Sequence, residues 1–161
     1  MAELKLYMGA GRERLKGFIH ADSHPYPGID VVCDATEKWP WDDDTFDYIY
    51  TQDFLEHIPT ESKVFVINEM WRGLKTDGEM EPIIPNAGSQ NDFGSPTHLS
   101  HWNCQQFDHF NVDSYRHEKD KEYEGITSKF KMEVSRLLNP IIEADGIARY
   151  QAVHVKMKAI K

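Results

Sequence analysis

The sequence predicts an α/β protein built on a mostly parallel sheet with an antiparallel edge. Four short segments rich in apolar and β-branched residues come first, and each is closed by glycine or by polar residues. A stretch with helical spacing and a fifth apolar segment follow, and two late segments alternate apolar with polar residues. Strands interleaved with a helix are typical of parallel sheets. Alternation is typical of half-buried strands, which favours an antiparallel edge.

The predicted elements can be placed along the chain. The first five strands are expected at residues 4–8, 17–22, 29–34, 46–50 and 79–84, and the last two at 130–134 and 150–157. Ser62 is a credible helix cap, and Asp77-Gly78 is a credible stop for the helix that carries Phe65, Met70 and Leu74. Pro82 cannot donate to a ladder, so a bulge or an early end of the fifth strand is expected there.

Length and composition predict one domain over residues 1–161. Apolar residues make up 40% of the chain and charged residues 28%, and the formal net charge is −9. Such an acidic chain lacks the charge that binds a phosphate backbone, so nucleic acid is an unlikely partner. No apolar stretch is long enough to span a membrane. With only Cys33 and Cys104, reduced thiols and a cytoplasmic location are expected.

Residues with binding chemistry fall at the ends of the first four predicted strands. They are Gly9-Ala10-Gly11, Asp22, Asp34-Ala35 and Thr51-Gln52-Asp53. Glycines let the backbone approach a ligand closely, and carboxylates accept hydrogen bonds from ribose hydroxyls or an adenine amino group. Ligands of open α/β sheets bind at the carboxyl ends of the strands. Each signal alone also fits a turn or a helix cap, but their order along one chain favours a binding site.

Residues 4–86 resemble the class I S-adenosylmethionine-dependent methyltransferases, close to the small-molecule group called type 11. The matching stretches are Leu6–Gly11, Asp34-Ala35, Phe46–Tyr50, Leu55–Ile58 and Glu69–Gly78. The resemblance implies a Rossmann-like three-layer fold whose seven-stranded sheet has an antiparallel last strand.

The resemblance also implies S-adenosylmethionine as cofactor and a methyl transfer as the reaction. The implied cofactor-binding residues are Met8, Gly9, Ala10 and Gly11 for the methionine moiety, Asp22 and Ser23 for ribose, Asp34 and Ala35 for adenine, and Thr51, Gln52 and Asp53 near the sulfonium.

Several positions depart from the pattern of that family. Tyr7 stands where an acidic residue is usual, and Glu13 stands at the last glycine of the longer motif. Only residues 12–21 separate Gly11 from Asp22, which leaves little room for the usual first helix. A trimmed version of the fold with a more exposed pocket is expected. The Asn-Pro-Pro-aromatic motif of amino-methylating DNA enzymes does not follow the fourth strand.

Three histidines are candidate catalytic bases because imidazole accepts a proton near neutral pH. They are His57, just past the fourth strand, and His98 and His101 in the polar stretch 86–110. That stretch leaves the fifth strand at its carboxyl end, so we expect it to form the side of the pocket that receives a small-molecule acceptor. A homodimer is left open.

Two alternatives remain beside the methyltransferase hypothesis. One is a non-catalytic S-adenosylmethionine-binding module, which the departure at Tyr7 favours. The other is a metal-dependent enzyme that uses His98 and His101 with ligands drawn from Asp108, His109 or His117. The spacing does not match a closed zinc site, so no metal is expected.

Overall fold

The computed structural model describes residues 3–122, 125–142 and 148–161. Its strands are β1 Lys5–Met8, β2 Phe18–Asp22, β3 Val31–Val32, β4 Phe46–Gln52, β5 Leu74–Pro85, β6 Phe130–Ile142 and β7 Ala148–Ala159. Its α-helices are α1 Lys63–Gly73, α2 Gln90–Phe93, α3 Cys104–Phe107 and α4 Tyr115–Asp120. Short 3-10 helices cover Leu55–His57, Thr60–Ser62 and Asp108–Phe110.

The seven strands form one sheet in the order β3-β2-β1-β4-β5-β7-β6. Neighbouring strands from β3 to β5 are parallel, whereas β7 is antiparallel to both β5 and β6. The order reverses between β1 and β4, so the switch point of the sheet lies at the carboxyl ends of these two strands. The predicted mostly parallel, Rossmann-like sheet with an antiparallel last strand is confirmed.

The hydrophobic core lies on one face of the sheet. Side chains from β1, β4, β5 and β7 meet helix α1, helix α3 and Trp102 there in a single buried cluster. The opposite face carries aromatic and charged side chains, namely Tyr7, Phe18, His20, Tyr48, Tyr50, Glu79, Glu81, His154 and Lys156. No helix lies between β1 and β4 in the described residues, as the short first connection predicts. A second helical layer over this face is not formed by the part of the chain that the structure describes.

Several element boundaries differ from the sequence prediction. Strand β3 has only two residues, since its pairing to β2 is limited to Ala21–Val31 and Asp22–Val32. Helix α1 ends at Gly73 rather than near Asp77, because Leu74 already has extended backbone and begins β5.

The predicted bulge or early end at Pro82 is wrong. Strand β5 runs on to Pro85 and keeps one register with β7 on both sides of Pro82. The ladder between β5 and β7 has no pairs at Glu81 and Pro82. This gap accommodates a proline, which has no N–H to donate. The predicted turn at Asp145-Gly146 lies outside the described residues.

Candidate functional site

A cleft of about 700 Å³ opens at the carboxyl ends of β1, β2, β3 and β4. We call it the first cleft. Eight residues that the sequence assigns to cofactor binding line it, and they are Met8, Gly9, Gly11, Asp22, Ser23, Asp34, Ala35 and Asp53. The cleft therefore lies at the switch point of the sheet, where ligands of open α/β folds bind.

The turn after β1 depends on its two glycines. Gly9 and Gly11 have φ angles of +70° and +52°, in the left-handed region that side chains disfavour. A Cβ on Gly9 would lie 2.2 Å from Cδ2 of Phe54, which also lines the first cleft. The Gly9 N–H donates to the carbonyl of Ala21 over 2.9 Å. The turn is thus fixed against the neighbouring strand and has no room for a side chain.

Asp22 holds the floor of the first cleft together. Its Oδ2 accepts from the Gly11 N–H at 2.8 Å, and its Oδ1 accepts from the His24 N–H at 2.9 Å. Each carboxylate oxygen can accept more than one hydrogen bond, so Asp22 keeps capacity for two ribose hydroxyls. The backbone bonds fix the carboxylate in place for that contact.

Asp34 is oriented by the residue two positions further on. Its Oδ1 accepts hydrogen bonds from the Thr36 N–H at 2.8 Å and the Thr36 hydroxyl at 2.7 Å. These bonds hold the pKa of the Asp34 carboxyl below its usual value, so it is ionised at neutral pH. The arrangement leaves Oδ2 to accept from an amino group in the cleft.

Three residues from the same prediction do not line the first cleft. Ala10 is buried, with its N–H bonded to the Ala21 carbonyl at 3.1 Å. Thr51 is 1% exposed and lies within the sheet. Gln52 accepts from the Tyr50 hydroxyl at 2.7 Å. Ala10 lies in the turn after β1 and is buried there, whereas the side chains of Thr51 and Gln52 belong to strand β4 and alternate between the two faces of the sheet.

A second cleft of about 460 Å³ lies beside the first one. Asp53 and His57 line both clefts. Asp53 has a φ of +47°, and its N–H donates to the Ile83 carbonyl at 3.0 Å. Strained backbone of this kind is common at functional sites. The carboxyl end of β4 therefore forms the wall between the two clefts.

Glu56 lines the second cleft and was missed as a candidate by the sequence analysis. It is only 1% exposed, and neither of its carboxylate oxygens accepts a hydrogen bond from another described residue. Burial, with smaller contributions from the nearby Asp53 and Asp92 carboxylates, raises its pKa to about 7. The available signal was the Leu55–Ile58 stretch, in which Glu56 directly precedes His57.

The structure separates the three candidate histidines. His57 and His98 pack edge to face, with ring centroids 5.0 Å apart, and both line the second cleft. His101 lines neither cleft; its Nδ1 lies 2.9 Å from the buried carboxylate of Asp92 and its ring packs on Phe93. The geometry thus supports His57 and His98 as cleft groups and gives His101 a pairing role.

Comparisons with known proteins add evidence of a different kind. Residues 11–80 match a family model described as a methyltransferase domain. No curated protein matches the sequence. A methyltransferase from Archaeoglobus fulgidus has the same fold, with a TM-score of 0.63 and 16% identity over 98% of this chain and 86% of that chain. One from Methanosarcina mazei gives a TM-score of 0.58 and 13% identity over 98% and 92%.

The sequence match and the shared fold agree with the position of the first cleft. Residues 11–80 carry the match to the methyltransferase-domain family, and the chain has the fold of solved S-adenosylmethionine-dependent methyltransferases. S-adenosylmethionine is the cofactor of that family, and the first cleft fits it in size, since pockets for such ligands measure about 300–1,000 Å³. The glycine turn, which has no room for a Cβ, suits the methionine moiety of the cofactor. The oriented carboxylates of Asp22 and Asp34 suit its adenosine.

Two departures from this methyltransferase family are explained by one contact. The Tyr7 hydroxyl donates to Glu13 Oε2 at 3.0 Å, on the sheet face that the helices leave uncovered. Burial, together with the Glu13 carboxylate, raises the pKa of Tyr7 well above its usual value. The tyrosine therefore stays neutral and acts as a packing residue.

Within the described residues, no helix is long and apolar enough to cross a bilayer.

Proposed function

We propose that this methyltransferase transfers a methyl group from S-adenosylmethionine in the first cleft to a small molecule in the second cleft. The observation that carries the proposal is the shared wall of Asp53 and His57 between the two clefts. S-adenosylmethionine, when bound, supplies an electrophilic methyl group. In-line displacement needs the acceptor atom in direct contact with the methyl group, and two adjoining clefts lined by the same residues allow that contact at their common edge.

Different residues of the first cleft bind different parts of the cofactor. We assign the methionine moiety to the turn at Gly9 and Gly11, the ribose to Asp22 and the adenine amino group to Asp34. This order follows the order of strands β1, β2 and β3 in the sheet. It leaves the sulfonium end toward Asp53, next to the second cleft.

The second cleft suits an acceptor of small size that loses a proton. Its volume of about 460 Å³ is within the range of small-molecule pockets. Glu56, His57 and His98 line it, and all three carry groups that can receive a proton from a hydroxyl or amine. The net charge of −9 argues against a nucleic-acid acceptor.

A calorimetric titration with S-adenosylhomocysteine tests the cofactor half of this proposal. Asp22→Ala is expected to weaken binding by about 10–100-fold, because each lost hydrogen bond to a charged group contributes about 1.5–3 kcal/mol. Asp42→Ala, an exposed carboxylate outside both clefts, is the matched control and is expected to bind as the unchanged protein does. Equal binding by all three proteins would contradict the site assignment.

A further inference from the structure

We infer that Glu56, His57 and His98 form a site for one divalent transition-metal ion, of the class of Zn²⁺ or Fe²⁺, in the second cleft. One ligand atom from each residue lies within 4.8 Å of the other two. His98 Nε2 lies 3.9 Å from Glu56 Oε1. In a tetrahedral zinc site with bonds of about 2.1 Å, the ligand atoms lie about 3.4 Å from one another, so the groups here are within about 1.5 Å of the required spacing. Small side-chain rotations therefore suffice to bring the three groups onto one ion.

The hydrogen bonds of both histidines leave a ligand nitrogen available. His57 Nδ1 lies 3.0 Å from the Thr97 carbonyl, and His98 Nδ1 lies 2.7 Å from the Asp92 carbonyl. A carbonyl only accepts, so each Nδ1 carries the proton and the lone pair of the neutral ring is at Nε2. Metal-binding histidines are held in this way, with the second ring nitrogen donating to a carbonyl or carboxylate.

Glu56 supplies the observation that points most directly to a cation. It is 1% exposed, and neither oxygen accepts a hydrogen bond from another described residue. A buried carboxylate without partners is costly, and buried charges are normally paired or bound to metals. An ion between Glu56 and the two imidazoles would give this side chain the partner that the protein does not supply.

The three ligands are held by a rigid frame. Glu56 and His57 lie in the 3-10 helix after β4, and His98 lies on the loop that follows α2. Backbone N–H groups of Leu99 and Ser100 donate to the Glu56 carbonyl at 2.7 and 3.0 Å. These bonds fix the loop against the 3-10 helix across about 40 positions of sequence. Such preorganisation is what a metal site needs from its surroundings.

This ligand set differs from the one that the sequence suggests. Of the histidines first considered as ligands, only His98 joins the cluster. His101 pairs with Asp92, His109 lies 3.2 Å from Asp120, and His117 Nδ1 lies 2.8 Å from the His109 carbonyl. The spacing of the sequence could not reveal the site because two ligands come from residues 56–57, in a separate segment.

Three protein ligands leave coordination positions open, as in catalytic rather than structural metal sites. Two imidazoles and one carboxylate are donors that suit zinc and iron better than magnesium. Since all three ligands line the second cleft, the ion would take an oxygen donor of a molecule bound there. Only this last assignment rests on the proposed function, because the metal site itself stands on the ligand geometry.

Calorimetric titration of Zn²⁺ into metal-free protein tests the inference, with His98→Gln, Glu56→Gln and His101→Gln as variants. The unchanged protein is expected to bind about one Zn²⁺ per chain. Losing one ligand is expected to weaken binding by about 100-fold or more, since outer partners alone contribute 10–100-fold. His101→Gln, a histidine on the same loop but outside the cluster, is expected to bind as the unchanged protein does. Mg²⁺ is expected to bind much more weakly.

Several outcomes would overturn the metal site. They are no stoichiometric Zn²⁺ on the unchanged protein, equal affinity in His98→Gln and Glu56→Gln, or a loss confined to His101→Gln. Circular dichroism checks folding, and His57→Gln replaces any variant that does not fold. S-adenosylhomocysteine affinity is measured on the same samples. Zinc binding without S-adenosylhomocysteine binding would contradict the proposed function alone, and the reverse result would contradict the metal site alone.

Discussion

The two clefts share a wall but are assembled in different ways. Most of the first cleft comes from short turns that directly follow β1, β2, β3 and β4. The second cleft combines residues from position 53 to position 152, including the loop after α2 and strand β7. A site made of strand ends is a local property of the sequence. A site made of distant segments depends on how the whole chain folds.

The largest effect is expected from a substitution that obstructs the first cleft and leaves the second cleft intact. Gly9→Ala would place a Cβ 2.2 Å from the Phe54 ring at a φ of +70°. We expect S-adenosylhomocysteine affinity to fall by about 100-fold or more, which corresponds to about 2.7 kcal/mol. Gly17→Ala is the control, since Gly17 also has a positive φ but no atom lies within 4 Å of its Cβ position. Comparable losses in both variants would mean that backbone strain, rather than the cleft, is responsible.

Removing an anchor of the second cleft is expected to change stability instead. The Trp102 indole N–H donates to the Leu55 carbonyl at 3.0 Å and to the Ser100 hydroxyl at 3.1 Å, and its ring is fully buried. Trp102→Phe is expected to lower the free energy of unfolding by about 2 kcal/mol, because buried bonds and packing are lost. Urea denaturation measures this change. An unchanged unfolding midpoint would contradict the anchoring role of Trp102, and a large loss of S-adenosylhomocysteine affinity would show that the two clefts are not separable.

A smaller effect is expected from the adenine end of the first cleft. Asp34→Ala removes the carboxylate that Thr36 orients. We expect S-adenosylhomocysteine affinity to fall by about tenfold, the equivalent of one hydrogen bond to a charged group. Glu37→Ala, on the exposed loop just beyond, is the control. Retained affinity in Asp34→Ala would remove Asp34 from the site while leaving the other assignments standing.

The smallest effect is expected on the uncovered face of the sheet, away from both clefts. Burial alone would raise the pKa of Glu81, but hydrogen bonds from the Tyr48 hydroxyl at 2.6 Å and from His154 Nε2 at 2.7 Å outweigh it and lower the pKa. Glu81→Gln is therefore expected to lower the free energy of unfolding by about 1 kcal/mol at neutral pH.

The pH dependence of that variant has a definite sign. A lowered folded pKa stabilises the protein above the usual carboxyl value and loses this stabilisation as the pH falls through the folded pKa. The difference between Glu81→Gln and the unchanged protein should shrink below about pH 4. Urea denaturation over a pH series measures it, and a constant difference would contradict the ionic role of Glu81. S-adenosylhomocysteine affinity should not change.

The same contrast explains which parts of the protein could be predicted from its sequence. The strands and the residues Gly9, Asp22 and Asp34 could be predicted, because a strand pattern and the residues that end the strand are neighbours in the chain. The roles of Glu56 and His101 could not be predicted from the sequence. Glu56 is buried by a loop some 40 positions away, and the partner of His101 is set by helix α2, which carries Asp92.

The direction of side chains near strand ends is a second feature that could not be predicted from the sequence. Thr51 and Gln52 lie within two positions of the cleft residue Asp53, yet neither lines the cleft. Thr51 is buried within the sheet, and Gln52 accepts a hydrogen bond from the Tyr50 hydroxyl. A shift of one residue reverses the face of a strand, so boundaries uncertain by one or two positions leave such assignments open. The uncovered sheet face had a clear signal in the short connection between Gly11 and Asp22.

A crystal structure of the complex with S-adenosylhomocysteine tests the division between the two clefts most directly. The account predicts the adenine amino group within hydrogen-bond distance of Asp34, the ribose hydroxyls on Asp22 and the sulfur toward Asp53. The second cleft, with Glu56 and His98, should remain free of the bound molecule. S-adenosylhomocysteine in the second cleft, or its ribose away from Asp22, would contradict the account.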